Sequence, residues 1–312
     1  MEFLRLLEGI RNPFLDAMMC AITYLGDEVF FTASALFIFW CVDKRRGYFI
    51  FSTGLIGIGL GQIMKLWFRI PRPWVLDPGF TIVESARAGA GGYSFPSGHS
   101  QSVTGTLGAI ALTSEKKGVR AACWITAAMV CFSRMYLGVH TPTDVLAGAL
   151  LSLILLLILR PSFRDEETFR SRMDRIFIIF FVLASAFLCF VSFFPFPADT
   201  DAENLAHGTR NAWTFLGCLC GLLISWLADK KRNFSTGATA EGQLLKFVVG
   251  MAGVAGIRAL LKLLLERMFG DAPFSSAICY FIVILFAGTV WPLTFPFFAR
   301  AGHGGESQTS EK

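Results

Sequence analysis

The sequence predicts an all-α protein, a polytopic transmembrane helical bundle in which a six-helix core is followed by additional C-terminal spans. Hydrophobic residues make up 54% of the chain and charged residues 16%, and soluble domains carry about 25% charged residues. The apolar residues occur in blocks of about twenty, the length at which a helix crosses a bilayer. Basic clusters lie between many of these blocks. Together these observations exclude a soluble fold.

The first element, residues 1–13, is predicted to be a helix lying in the membrane interface. Phe3, Leu4, Leu7 and Ile10 share one face of this helix.

Nine spans follow. The first begins at either Phe14 or Asp27 and ends at Val42, because Gly26-Asp27-Glu28 interrupts its apolar block. The other eight are predicted at 48–67, 97–114, 121–138, 143–160, 176–196, 211–228, 244–268 and 274–299. We assign residues 14–160 to the membrane core, residues 161–300 to additional transmembrane helices and residues 301–312 to a disordered tail.

The loop charges predict the orientation of the bundle. Basic clusters occur at 44–46, 116–120, 160–175 and 230–232, in alternate loops, whereas the Pro197–Asn211 loop is acidic. Because basic loops remain in the cytoplasm, the N-terminus is expected outside and the C-terminus inside a cell (plasma) membrane. The net charge of +5 is explained by these loops and needs no nucleic-acid partner.

Three short motifs carry the residues suited to chemistry. They read K-x₆-R-P from Lys65 to Pro73, P-S-G-H from Pro96 to His99, and S-R-x₅-H-x₃-D from Ser133 to Asp144. They supply cations, a helix start, two imidazoles and a carboxylate, which in-line phosphoryl transfer through a histidine requires. The predicted topology places all three motifs on the extracytoplasmic side.

His140 is the expected nucleophile of this site. Thr141 can cap the following helix, with Pro142 at its first position and Asp144 near its third. Asp144 would reach back to one ring nitrogen of His140 and leave the other nitrogen free to attack phosphorus. His99 is the expected general acid, which protonates the leaving alkoxide and later activates water.

The remaining motif residues are expected to bind the phosphoryl group. Lys65, Arg72 and Arg134 would hold its oxygens, and Ser97 and Gly98 would offer backbone N–H groups at a helix start. The sequence indicates no metal site and no cofactor, since it contains no H-E-x-x-H pattern and no acidic pair near the motifs. The eight cysteines lie mostly in apolar blocks, which indicates small buried side chains.

These motifs match, at every signature position, those of the type 2 phosphatidic acid phosphatase superfamily, and the chain resembles the membrane-bound branch of that superfamily. The resemblance covers Lys65 to Asp144 in detail and Phe14 to Arg160 in helix layout. Beyond Arg160 the chain resembles longer members such as sphingosine-1-phosphate phosphatases, which carry extra spans. The resemblance implies a metal-independent reaction.

The expected function is hydrolysis of a lipid phosphate monoester at the outer face of the membrane, with membrane lipids as the other partners. A polyprenyl (undecaprenyl) diphosphate phosphatase is the main alternative, followed by an enzyme for a water-soluble ester. A non-catalytic phospholipid-binding or transport protein is a further alternative, although binding alone needs cations rather than an oriented histidine. The sequence leaves the substrate's head group and tail and the oligomeric state open.

The sequence supports predictions for two further segments. The Gly-rich stretch Asp77–Gly92 is predicted to be a mobile loop over the site. Arg258, Lys262 and Glu266 recur every four residues and share one face of a span. Either Arg258 pairs with Glu266 or another acidic partner while Lys262 points to the interface, or this face adds positive charge near the substrate head group.

Overall fold

The computed structural model describes residues 1–300, and within them every regular element is helical. The all-α fold class is therefore confirmed, while the predicted disordered tail at 301–312 lies outside the described residues. The helices are α1 (Glu2–Gly9), α2 (Pro13–Thr23), α3 (Glu28–Phe37), α4 (Lys44–Phe68), α5 (Pro73–Leu76), α6 (Gly98–Thr113), α7 (Lys117–Tyr136), α8 (Pro142–Leu159), α9 (Glu166–Phe193), α10 (Ala202–Arg232), α11 (Ala240–Phe269), α12 (Phe274–Leu285) and α13 (Phe295–Arg300).

Short turns of other helix types extend α2, α3, α8 and α12. A π-helical turn at Ile38–Val42 continues α3. A π turn at Phe286–Val290 and a 3₁₀ turn at Trp291–Thr294 join α12 to α13.

Among the described residues, 6 helical segments are long and apolar enough to cross a membrane, or up to 7 if the pair Pro13–Gly26 and Glu28–Val42, bent by 50°, forms one span. The sequence-based count of nine is higher because it included α6 and α7. Helix α6 has only 16 residues and buries polar side chains within the protein. Helix α7 carries Arg120 and Arg134, which lower its apolar character. The multi-pass architecture with additional C-terminal spans is nevertheless confirmed.

Helix α6 occupies the centre of the core and packs against α4, α7 and α8. Gly148 allows α8 to approach closely, since a Cβ built there would collide with the backbone oxygen of Ser97. At the break between α2 and α3, a Cβ built on Gly26 would lie 3.1 Å from the Cβ of His99 and 2.9 Å from Cγ1 of Val130. The start of α6, the start of α8 and this break therefore meet at one end of the bundle.

One apolar cluster joins the core to the C-terminal helices. The ring of Tyr48 in α4 lies 5.6 Å from that of Phe169 in α9 and 5.5 Å from that of Trp226 in α10. Trp40 Nε1 donates a hydrogen bond of 2.9 Å to the carbonyl of Ala287. The domain boundary after residue 160 remains a prediction, and the packing is continuous across it.

Helix α1 packs against the Asp77–Gly92 loop and forms hydrogen bonds with it, so its contacts are not limited to the membrane. Leu4 is buried in one cluster with Phe80 of the loop. Arg5 Nη2 donates to Asp77 Oδ2 at 2.7 Å, and the backbone N–H of Thr81 donates to Glu8 Oε1 at 2.9 Å. Leu7 is also buried, whereas Phe3, Leu6 and the following Ile10 are exposed. The interfacial location of residues 1–13 and the mobility of the loop remain predictions.

The close approach of α8 to α6 can be tested with Gly148→Ala. Because the added methyl group meets backbone rather than a movable side chain, we expect the variant to lose about 1–3 kcal/mol of stability and to show a lower thermal unfolding midpoint in detergent. Gly256→Ala is the matched control, since a Cβ built at this α11 glycine has nothing within 4 Å and alanine favours helix. An unchanged midpoint for Gly148→Ala would contradict the packing.

Candidate active site

The three motifs converge at the end of the bundle where α4 and α7 end and α6 and α8 begin. Lys65 lies in the last turn of α4, Ser97 is the N-cap of α6, and His140 lies just before α8. Most of the predicted site residues are buried, namely Lys65, Arg72, Ser97, Arg134, His140 and Asp144. His99 is half-buried and Gly98 is exposed. The structure thus brings together all eight residues that the sequence selected.

A capping box fixes the start of α8. The side chain of Thr141 accepts a hydrogen bond from the Asp144 N–H at 3.3 Å, and Asp144 Oδ2 accepts one from the Thr141 N–H at 2.7 Å. Pro142 occupies the first turn. This local geometry agrees with the prediction, and it uses part of the carboxylate of Asp144 for the helix cap.

The expected direct hydrogen bond between Asp144 and His140 is absent from this geometry. Asp144 Oδ2 lies 3.6 Å from His140 Nδ1, too far for a hydrogen bond. The hydroxyl of Ser94 stands beside both groups, 3.4 Å from Nδ1, and donates to Asp144 Oδ2 at 2.6 Å. The motifs did not identify Ser94 as a site residue, because it lies outside them, two residues before Pro96.

Ser94 and Asp144 determine which nitrogen of His140 carries the proton. The Ser94 hydroxyl donates its proton to Asp144 Oδ2, so it can only accept from His140 Nδ1, 3.4 Å away. Nδ1 therefore carries the proton of the neutral ring and Nε2 presents its lone pair, while Arg72 Nη1 lies 2.9 Å from Nε2 and 3.4 Å from Nδ1. Nε2 is the nitrogen available for attack.

The environment keeps this imidazole neutral. His140 is 2% exposed. Burial, and then the positive charges of Arg72, Arg134 and Lys65, hold the pKa of His140 well below its ordinary value of 6.5. An unprotonated ring at neutral pH is the form that can act as a nucleophile.

Two of the cations donate hydrogen bonds to backbone carbonyls. These carbonyls lie at the end of the Asp77–Gly92 loop and just after it. Arg72 Nε donates to the carbonyl of Gly92 at 3.0 Å and Nη2 to that of Gly91 at 2.7 Å. Lys65 Nζ donates to the carbonyl of Tyr93. These carbonyls fix the positions of both cations at the mouth of the site.

Arg134 is the third cation, and much of its hydrogen-bonding capacity is unused. Its Nη1 donates to Thr23 Oγ1 at 2.8 Å. Its Nε and Nη2 are buried and have no partner among the described residues. Burying charged donors without partners costs free energy, and an anion with several acceptor oxygens would satisfy them.

The helix start contributes backbone N–H groups, although not the pair expected. The Ser97 N–H donates to the carbonyl of Asp144 at 2.9 Å, and the Ser97 hydroxyl accepts from the Ser100 N–H. Ser97 therefore shapes the cradle, while the first-turn N–H groups of Gly98 and His99 are the ones without an intrahelical acceptor. A Cβ built on Gly98 would meet nothing within 4 Å, so the space beside this cradle is open.

No group of three or more His, Cys, Asp or Glu side chains within residues 1–300 has the arrangement of a metal site. Metal independence remains a prediction from the motifs.

Two family models match the chain. One, described as the PAP2 superfamily, covers residues 45–167, and the other, described as a PAP2 superfamily phosphatase transmembrane extension, covers residues 213–303. The first includes the three motifs, and the second covers most of the helices that follow the core.

Curated proteins of this kind are similar to the chain. Phosphatidylglycerophosphatase B of Bacillus subtilis is 31% identical over 179 residues, which cover 52% of this chain and 82% of that protein. An undecaprenyl-diphosphatase of Sulfolobus acidocaldarius is 30% identical over 156 residues, covering 48% and 71%. A probable sphingosine-1-phosphate phosphatase of Dictyostelium discoideum is 33% identical over 164 residues, covering 47% and 38%. The match thus spans less than two fifths of this last relative's length.

Among solved structures, the crystal structure of Aquifex aeolicus LpxE is 25% identical, with a TM-score of 0.43, and the match covers 50% of this chain and 92% of that one.

Ser94→Ala tests whether the hydroxyl connects Asp144 to His140. Losing one hydrogen bond to a charged group costs about 1.5–3 kcal/mol, so we expect the turnover number to fall by about 10- to 150-fold with a smaller change in KM. The measurement is steady-state phosphate release by the purified protein. Ser85→Ala, in the Asp77–Gly92 loop that precedes Ser94 but bonded only to Cys20, is the control, and equal activity of the two variants would contradict the role of Ser94.

Proposed function

Because the chain belongs to the PAP2 superfamily, we propose that it is an integral membrane phosphatase that hydrolyses a lipid phosphate monoester through a phosphohistidine at His140. The observation that carries this proposal is the orientation of His140. Its Nε2 presents a lone pair among three buried cations, while its Nδ1 faces Ser94 and Asp144.

The first half of the proposed reaction transfers the phosphoryl group to the enzyme. Nε2 of His140 forms a bond to phosphorus as the bond between phosphorus and the lipid oxygen breaks, and His99 gives its proton to the departing alkoxide. Arg72 Nη1 lies 2.9 Å from Nε2, so it can donate to an oxygen of a phosphoryl group bound at this nitrogen. A bound dianion also offsets the repulsion between His99 and the cations and favours its protonated form.

The second half releases phosphate. His99, now neutral, takes a proton from water, and the hydroxide attacks phosphorus as the bond to Nε2 breaks. Lys65, Arg72 and Arg134 stabilise the charge on the equatorial oxygens in both halves, together with the N–H groups at the start of α6. Each group returns to its starting protonation state.

The charges around a second pocket favour a monoester over a diphosphate. This pocket, of about 330 Å³, adjoins Arg72 and contains Arg69, Asp199 and Asp201. It offers room for a further phosphate. However, the two carboxylates balance the two guanidinium groups, so the pocket lacks the excess positive charge that a second phosphate would need.

The proposed membrane orientation has the site on the extracytoplasmic side. The motifs lie at one end of the bundle, and the basic clusters at 44–46 and 116–120 lie at the opposite ends of the same helices. The cluster at 230–232, at the end of α10, lies beside Lys44, which bonds to Asp229 and Asn233. The positive-inside rule places those clusters in the cytoplasm.

The covalent step is tested with His140→Ala and His99→Ala. We expect His140→Ala to lose both an acid-labile phosphoenzyme and activity. His99→Ala should reduce hydrolysis of an alkyl phosphate by about 10²- to 10⁴-fold and that of an activated aryl phosphate by less, because an aryl oxide leaves without a proton. Phosphate release and trapping of the phosphoenzyme are the measurements, with folding checked by thermal unfolding.

The substrate assay for both variants includes phosphatidate, phosphatidylglycerophosphate, a sphingoid phosphate and undecaprenyl diphosphate. Near-normal turnover by His140→Ala would contradict the mechanism. Preferred hydrolysis of the diphosphate would favour the diphosphatase alternative, and hydrolysis of soluble esters alone would contradict a lipid substrate.

Sidedness is tested by cysteine labelling in oriented vesicles or intact cells. A cysteine at Glu84, whose side chain is 71% exposed, should react with an impermeant thiol reagent from outside. A cysteine at Lys117, at the start of α7, should react only after permeabilisation. The reverse pattern would place the site on the cytoplasmic side.

A further inference from the structure

A cavity of about 750 Å³ opens from the candidate active site into the bundle. Lys65, Ser97, Gly98 and His99 line one end of it. Its volume lies within the range of about 300–1,000 Å³ that is usual for small-molecule sites. The phosphate site and this cavity therefore form one continuous space.

Beyond the phosphate site the cavity walls are largely apolar, and the helices after the core supply much of them. Phe31 and Leu55 come from α3 and α4, whereas Phe215, Leu222 and Val254 come from α10 and α11. All five side chains are buried. Such a lining excludes water and suits a hydrocarbon chain.

The cavity is deep enough to extend through a membrane leaflet. Its lining along α4 runs from Phe51 to Lys65, about 21 Å at the helical rise. One leaflet contributes about half of the roughly 30 Å hydrocarbon core. A lipid whose phosphate lies at Lys65 could therefore place its tail within the cavity along α4.

A polar bridge from the C-terminal helices lies at the phosphate end of the cavity. Arg258 Nη2 of α11 donates to the hydroxyl of Tyr280 in α12 at 2.9 Å, and this hydroxyl donates to Glu28 Oε1 at 2.8 Å. Glu28 begins α3, next to the break that packs on His99. The bridge therefore lies at the same end of the cavity as the catalytic histidines.

This bridge identifies the acidic partner of Arg258. Its acidic partner is Glu28, reached through Tyr280, rather than Glu266. Lys262 lies 3.7 Å from Glu266, with both side chains more than half exposed. The charged face thus pairs within the protein, as in the structural alternative.

Building on the proposed function, we propose that the cavity between α3, α4 and the helices α10–α12 binds the hydrocarbon tail of the lipid phosphate. The transmembrane extension is then part of the substrate site, because it supplies the far wall of the tail cavity and the polar bridge at its entrance.

Ala255→Trp tests this assignment by narrowing the cavity. Ala255 lines it from α11 and is exposed, so the larger ring fills open space without replacing a packed side chain. With monoalkyl phosphates from butyl to hexadecyl in detergent micelles, we expect the hexadecyl-to-butyl ratio of kcat/KM to fall by about tenfold or more, since each buried methylene contributes to binding.

Ala252→Trp is the matched control, because Ala252 is also exposed on α11 but does not line the cavity. Its chain-length ratio should equal that of the unmodified protein. An unchanged ratio in Ala255→Trp, or an equal fall in both variants, would overturn the tail assignment while leaving the phosphatase proposal intact.

A second measurement does not depend on turnover. An alkyl phosphate with a diazirine at the end of its tail is photo-crosslinked to the full-length His140→Ala protein, and labelled peptides are identified. Labelling of α10 and α11 around Leu222 and Met251 is expected, and labelling confined to α8 and α9 would overturn the proposal. Crosslinking in the cavity without hydrolysis by the unmodified protein would contradict only the proposed function.

Discussion

The arrangement of the site depends on Asp144, whose polar atoms connect the start of α8, the start of α6 and Ser94 beside His140. Its Oδ2 accepts hydrogen bonds from the Thr141 N–H and from the hydroxyl of Ser94, and its backbone carbonyl accepts one from the Ser97 N–H. One residue thus caps α8, fixes the side chain beside His140 Nδ1 and holds the start of α6. Because Asp144 is 1% exposed, water does not compete for these bonds.

A second constraint is the excess of positive charge beside this carboxylate. Lys65, Arg72 and Arg134 are buried at the same end of the bundle, and buried cations are costly unless they are paired. The protein compensates with backbone carbonyls at Gly91, Gly92 and Tyr93, which carry only partial charge. A phosphate dianion would neutralise the cluster more completely, so a site of this kind is prepared for its ligand in advance.

The parts of the site that follow local rules could be predicted from the sequence. The cap at Thr141 and the positions of Pro142 and Asp144 depend on neighbours within four residues, and the structure reproduces them. Ser94 could not be found in this way, since it meets Asp144 across fifty residues of chain and no pattern distinguishes it from other serines. The predicted direct hydrogen bond between Asp144 and His140 does not form, because Asp144 Oδ2 already accepts hydrogen bonds from the Thr141 N–H and the Ser94 hydroxyl.

Features that depend on long-range contacts could likewise not be predicted from the sequence. Helix α6 packs against α4, α7 and α8 and buries polar side chains, and the sequence alone did not distinguish such a core helix from a membrane span. Arg258 reaches its acidic partner, Glu28, through Tyr280. Glu28 lies 252 residues before Tyr280 in the chain, and helical spacing gives no information about such a distant pair. Fold class and the grouping of the motifs were predictable because composition and motif order determine them.

The aromatic contact between Tyr48 and Trp226 has a consequence for biosynthesis. The two residues are separated by about 180 positions, so at about 5–20 residues per second the ribosome delivers the second roughly 10–40 s after the first. Helix α4 waits in the translocation machinery or the lipid for that time, with the side that packs on α10 still uncovered, including Gly59, which lies against the ring of Phe215. The nascent protein therefore depends on retention of its early helices near the insertion site until α10 arrives.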